Sequence, residues 1–201
     1  MVSRLDALLT EVRGCTLCAV DLPLGPRPVV RLARSARLLI VGQAPGTKVH
    51  ETGLPWNDRS GDVLRGWLAM TRDDFYNASR IAIMPMGFCY PGVKRKNGSS
   101  GGGDNPPRPE CAPRWHARLL AQLPHIQLTL LVGQYAQAHY LGAHRGHTMT
   151  ETVRHFRDYL PEGYFPLPHP SWRNIGWQKK QPWFAAEVLP ALRAAVTTAL
   201  G

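Results

Sequence analysis

No apolar run in this chain approaches the roughly 18 residues that cross a bilayer. The amphipathic start, residues 1–15, also lacks the apolar core and small-residue cleavage site of a signal peptide. A soluble cytoplasmic protein with no membrane partner is expected. Acidic residues are scarce: 14 Asp and Glu stand against 24 Lys and Arg, a formal net charge of +10. Such a surplus suits a polyanionic partner, although a merely basic soluble protein has the same balance. Arg dominates over Lys, which suits bidentate phosphate contacts and also follows from a GC-rich genome. Two nucleotide-binding signatures are missing, because neither the G-x-G-x-x-G spacing nor G-K-[ST] occurs. Cysteines are few, at positions 15, 18, 89 and 111. In a reducing compartment they read as ligands or buried thiols rather than disulfides.

Charged residues make up 19% of the 201-residue chain and hydrophobic ones 44%. The composition is that of a globular protein, and the length fits one domain over residues 1–201. Four short apolar runs read as buried strands: Leu38–Val41, Ile81–Met84, Leu128–Val132 and Tyr164–Leu167. Pro166 places the last near an edge or at a strand end. Helical patterns lie between them, at Ser60–Met70 with Ser60 as the N-cap candidate, at Pro113–Leu123, at Gln134–Leu141 and at Pro182–Leu200. The final pattern puts Phe184, Val188, Leu192 and Val196 on one core-facing stripe. Strands alternating with helices predict an α/β fold with a parallel sheet covered on both faces. The Gly-, Pro- and Ser-rich segment Pro91–Pro109 reads as a mobile surface loop, and its Lys94, Arg95 and Lys96 are candidate phosphate contacts.

Each strand runs directly into an unusual loop. Gly42-Gln43-Ala44-Pro45-Gly46 follows the first, Pro85-Met86-Gly87-Phe88-Cys89 the second, Gly133-Gln134 the third and His169-Pro170-Ser171 the fourth. In a parallel sheet all four gather beyond the carboxyl ends of the strands, where such sheets bind ligands. Small residues at 42–46 let backbone approach a ligand closely. His169 can donate a hydrogen bond or act as acid or base. Ser171, Trp172, Arg173 and Asn174 continue its loop and suit duplex insertion and phosphate contact, with packing of Trp172 under the loop as the alternative. Trp56 can stack on a base, worth about 1–3 kcal/mol, or fill the core. Cys15 and Cys18 have C-x-x-C spacing. With Cys89 and Cys111 they suit tetrahedral zinc, a [4Fe–4S] cluster or a set of buried thiols.

In order along the chain, these motifs resemble the uracil-DNA glycosylase superfamily, in its iron–sulfur, family-four-like branch. The resemblance is carried by the N-terminal C-x-x-C, G-Q-A-P-G, T-G-L-P-W-N-D, M-G-F-C-Y-P-G, P-R-P-E-C and H-P-S-W-R-N. It implies a three-layer α/β/α fold around a four-stranded parallel sheet, and a structural [4Fe–4S] cluster on Cys15, Cys18, Cys89 and Cys111. It further implies an enzyme that excises uracil from DNA by flipping the nucleotide into a pocket; because such an enzyme sits on the duplex with its pocket edge free, a monomer is expected. His169 would then hold the departing base at O2, Trp56 would stack on it, and residues 171–174 would meet the DNA. Gly42, Ala44 and Pro45 would line the substrate pocket.

Two positions depart from the branch. Gln43 stands where many members have Glu, and an amide is no general base, so it would only position water. Asp58 is an acid near the pocket in sequence. Pro85 stands where the branch has a base-reading Asn, four residues before the third cysteine. Base reading then falls to backbone groups around Met86, Gly87 and Phe88, or to Asn57, and hypoxanthine, xanthine or modified pyrimidines become candidate substrates. The basic loop has no His, which disfavours covalent trapping of DNA. The alternatives are a damaged-DNA binder of the same fold with weak turnover, and an iron–sulfur or zinc nucleic-acid-binding module.

Overall fold

The computed structural model describes residues 3–96 and 99–201; the side chains of Arg95, Lys96, Arg173 and residues 99–102 lie outside that description. Among the described residues there are six strands: β1 (Leu38–Val41), β2 (Ile81–Ile83), β3 (Val93–Lys96), β4 (Ser99–Asp104), β5 (Leu128–Val132) and β6 (Tyr164–Leu167). The helices are α1 (Arg4–Arg13), α2 (Thr47–Thr52), α3 (Arg59–Leu68), α4 (Arg72–Phe75), α5 (Cys111–Leu120), α6 (Gln134–Leu141), α7 (Met149–Arg154), α8 (Phe156–Tyr159), α9 (Ile175–Lys180) and α10 (Leu189–Leu200).

The four apolar runs form one parallel sheet in the order β2-β1-β5-β6. Every residue of β1 and β5 is buried, because both faces are covered. Alternate side chains then enter separate cores. Leu39, Val41, Ala82, Met84 and Leu131 pack with α1, α5 and α6 on one face. Leu38, Ile40, Ile83, Leu130 and Phe165 pack with α3, α7, α8 and α10 on the other. Each fully buried Leu, Ile or Phe contributes about 1.5–3 kcal/mol. The expected three-layer α/β/α arrangement with four parallel strands is therefore present. β6 is an edge strand, the first of the two places that Pro166 allowed.

The Pro91–Pro109 segment corrects the expected loop. Within it β3 and β4 pair antiparallel as a two-stranded ribbon. Gly-rich composition masks strand character, and a register shift between Val93 and Arg95 bends the ribbon. The cap of α3 is also corrected from Ser60 to Asp58, whose side chain accepts the Gly61 N–H at 2.8 Å. The expected stripe Phe184, Val188, Leu192 and Val196 is buried, but Phe184–Val188 forms a π-helical turn before α10. Pro190 sits at the start of α10 and has no N–H to donate backwards, which favours a widened turn there.

His116 on α5 braces the loop after β2. Its ring stacks on Phe88 at 5.7 Å, with Nδ1 2.8 Å from the Tyr140 hydroxyl and Nε2 3.1 Å from the Pro85 carbonyl. A neutral ring satisfies both contacts: Nε2–H donates to the carbonyl and Nδ1 accepts from the hydroxyl. Burial pushes its pKa down from 6.5 to about 4, opposed by the Pro85 carbonyl. Below pH 6.5 the unfolded chain takes up a proton that the folded chain refuses, so stability falls as pH drops toward 4, by up to about 3 kcal/mol. Urea unfolding between about pH 7.5 and 5 should show this slope, flattened in His116→Phe. Equal slopes in the two proteins would place the proton uptake elsewhere.

Candidate active site

In the order β2-β1-β5-β6 the chain leaves β1 toward one side and returns to β5 on the other. The loops after β1 and β5 therefore part, and a crevice opens at their carboxyl ends. A cavity of about 410 Å³ lies there. Gly42, Gln43, Ala44, Pro45, Trp56, His169, Ser171 and Trp172 all line it. Loops separated by more than 100 residues thus converge as their places in the parallel sheet require.

Trp56 holds the most strained backbone of the site, with φ +57° in the left-handed region that bulky residues avoid. Several contacts hold it. Its carbonyl accepts from Arg65 Nη1 at 3.3 Å, and the Tyr76 hydroxyl donates to the Pro55 carbonyl at 2.8 Å. Gly61 is needed because any Cβ there would collide with the Trp56 carbonyl. Gly42 is needed because a Cβ would stand 2.7 Å from the indole ring. The indole consequently lies beside His169, with ring centroids 5.7 Å apart and planes tilted by 34°.

His169 is fixed through its own backbone. Its carbonyl accepts from Asn174 Nδ2 at 2.6 Å and from the Ser171 N–H at 2.8 Å. Beneath it, the Gly133 N–H donates to the Leu167 carbonyl at 2.8 Å. Gly133, at φ +90°, leaves only van der Waals room below the His169 Cβ. Buried Gln137 donates to the same Leu167 carbonyl at 2.8 Å. Burial pushes the His169 imidazole below its ordinary pKa, and the Asp58 carboxylate partly opposes this. The ring is therefore a neutral donor near neutral pH.

Other candidates are placed elsewhere. Asn57 does not line the cavity; its Oδ1 accepts from Arg72 at 2.8 Å and its Nδ2 faces Thr52 Oγ1 at 3.4 Å. Met86, Gly87 and Phe88 are buried outside the cavity wall. Their N–H groups are spent on the Gly42 carbonyl, the Gln43 carbonyl and Cys111 Sγ. Asn174 is turned inward onto His169, whereas Trp172 is 73% exposed at the rim. Lys94 is exposed; the side chains of Arg95, Lys96 and Arg173 are outside the described ones. Pro85 lines the cavity too. Sequence reasoning missed Gly103 and Asp104, which also line it. It also missed Gln137, whose only sequence signal is its position one turn after a strand-ending glycine.

The four cysteines line a second, smaller cavity together with Leu22, Phe88, Arg108 and Trp115. Cys15 directly follows α1, Cys89 lies beyond β2, and Cys111 opens α5. The Phe88 N–H donates to Cys111 Sγ at 3.4 Å. Burial, helped by the neighbouring cysteines, raises the Cys89 and Cys111 thiols to about 11 and about 12. Among the described residues, no three His, Cys, Asp or Glu side chains are grouped so as to hold a metal ion. No described helix is long and apolar enough to cross a membrane.

The Uracil DNA glycosylase superfamily model matches residues 30–193. The chain is also similar to the solution NMR structure of a "putative Uracil DNA glycosylase" from Methanosarcina acetivorans, at 14% identity over 83% of this chain and 94% of that one, with a TM-score of 0.47.

Proposed function

From the premise that this chain belongs to the uracil DNA glycosylase superfamily, we propose that it hydrolyses the N-glycosidic bond of deoxyuridine in DNA and leaves an abasic site. The observation that carries the reading is the convergence of His169, Trp56 and the 42–46 loop in one cavity at the sheet's switch point. A flipped base enters that cavity and stacks on Trp56. As the N1–C1′ bond breaks, negative charge grows on the base, and the neutral His169 ring donates toward O2. The exposed Trp172 indole at the rim occupies the place of a wedge into the base stack. The asparagine amide that reads the base in the family-four-like branch has no counterpart at Pro85, and neither Asn57 nor residues 86–88 line the cavity. The substrate range therefore extends to hypoxanthine and xanthine.

The iron–sulfur branch is the closest in motif order, and the cysteine cavity fits its [4Fe–4S] cluster. The donor set is all thiolate. An all-cysteine set of four is the donor set that such a cluster takes. Bound there on Cys15, Cys18, Cys89 and Cys111, the cluster supplies a structural cross-link and no chemistry at the sugar. The enzyme acts as a monomer.

The test is base-release chromatography on oligonucleotides carrying uracil, hypoxanthine or xanthine, with the purified chain. Free uracil and an alkali-labile strand are expected. Intact oligonucleotide on both single- and double-stranded substrate, with iron bound, would end this reading.

A further inference from the structure

Two of the cavity-lining residues are carboxylates, Asp58 and Asp104, and Gln43 leaves the 42–46 loop without an acid of its own. Asp58 is engaged locally, because Oδ1 accepts the Gly61 N–H at 2.8 Å as the cap of α3. Asp104 ends β4 on the opposite side. Its Oδ2 stands 3.7 Å from where a Cβ on Gly46 would lie, so the carboxylate sits against the 42–46 loop. The next residue is tethered three ways. The Asn105 N–H donates to the Gly92 carbonyl at 2.8 Å, and its Nδ2 donates to the Pro91 carbonyl at 3.0 Å. Its carbonyl accepts from Gln43 Nε2 at 3.3 Å. The Gln43 amide is thus a clamp between the 42–46 loop and the ribbon that carries Asp104.

We propose that Asp104 is the catalytic base of the hydrolysis and that Gln43 is a positioning residue that docks it at the cavity through Asn105. This rests on the glycosylase reading above. In the step, the N1–C1′ bond breaks and its electron pair leaves with uracil, held by His169. A water oxygen bonds to C1′ and its proton passes to the Asp104 carboxylate. The uracil anion takes up a proton from solvent. A carboxylate accepts that proton and also faces the positive charge growing on the sugar, whereas an amide side chain does neither. An acid delivered by the ribbon explains how the 42–46 loop functions with Gln43. A clamp needs an N–H donor there, and a glutamate would face the Asn105 carbonyl with an acceptor.

The experiment measures single-turnover uracil release from a single-stranded uracil oligonucleotide between about pH 4 and 8, the range that spans carboxylate titration. The proteins are the parent chain, Asp104→Asn, Asp104→Glu, Asp58→Asn and Gln43→Ala, each checked for an unchanged melting temperature. Asp104→Asn should be slower by about 10²-fold and lose the acid limb of the profile. Asp104→Glu should regain part of the rate together with the limb, which a merely structural role would not produce. Gln43→Ala should lose about tenfold, because a loosened base is misplaced rather than absent, and keep the limb. An active parent with an equally active Asp104→Asn, or a limb that disappears only in Asp58→Asn, overturns this inference and leaves the glycosylase reading standing. A parent that releases no uracil overturns both.

Discussion

Replacing His169 by Ala is expected to slow uracil release by about 10²–10³-fold, the cost of removing one preorganised donor at a developing anion, roughly 3–4 kcal/mol. The size of the effect follows from how the ring is held. The His169 carbonyl is stapled by Asn174 and Ser171, Gly133 closes the space beneath it, and Trp56 flanks it. A donor so placed pays no reorganisation cost when the bond breaks. Its depressed pKa matters as well: a neutral imidazole neither loses its N–H nor changes charge between about pH 7 and 9, so the rate in that range should be flat. Gln43→Ala should lose far less, because the Gln43 amide faces Asn105 rather than the leaving base. Single-turnover rates of the two variants at neutral pH make the comparison. Equal losses would mean that Gln43 itself holds the attacking water, and a His169→Ala loss under about tenfold would remove leaving-group stabilisation as the main term.

The parts of this architecture that were legible in the sequence are those set by continuous burial. β1, β5 and β6 coincide with their apolar runs, because strands covered on both faces need residues that are apolar almost throughout. His169, Trp56 and residues 42–46 were legible for a related reason. Each lies just beyond a strand end or an adjoining glycine turn, and parallel pairing brings those ends together. The α3 cap was misplaced by two residues because Asp58 and Ser60 are both good caps, and only the extended backbone of Asp58 decides between them. The ribbon was missed although Asn97-Gly98, a strong two-residue hairpin signal, lies between Lys96 and Ser99, which pair. Its Gly-Ser-Lys composition pointed to a loop instead.

Asp104 was illegible for a different reason. Its arrival at the cavity depends on a side-chain bond between Gln43 and Asn105, 62 positions apart, and no local period encodes that. The expectation for Met86, Gly87 and Phe88 illustrates the converse. Sequence places their amides at the right strand end, but buried N–H groups must find partners, and here the partners are the Gly42 and Gln43 carbonyls and a cysteine sulfur. Pro85, which does line the cavity, presents no donor there.

The largest effect on stability is expected at Cys111. Cys111→Ala should abolish bound iron and the associated visible absorbance, and lower the melting temperature by roughly 10 °C or more, as befits a loss of about 4 kcal/mol in a chain of this length. The cysteine cavity joins the end of α1, the loop after β2 and the start of α5, segments that the Glu11–Arg118 ion pair and the His116–Pro85 contact also hold together. The buried Cys89 and Cys111 thiols, at about 11 and about 12, stay protonated unless a cation displaces the proton. Phe88 ties this cavity to the active site. Its N–H serves Cys111, while the two preceding N–H groups fasten the β2 loop to Gly42 and Gln43. Loosening Cys111 should therefore also slow uracil release, through displacement of the 42–46 loop rather than through the chemical step. Iron and acid-labile sulfide assays, calorimetry and a pH–rate profile on the same preparation separate the effects. Lower rate with an unchanged acid limb is the expected signature. Stoichiometric zinc in the parent chain would replace the cluster by a tetrahedral ion, and a Cys111→Ala chain that keeps both its iron and its melting temperature would remove Cys111 from the ligand set.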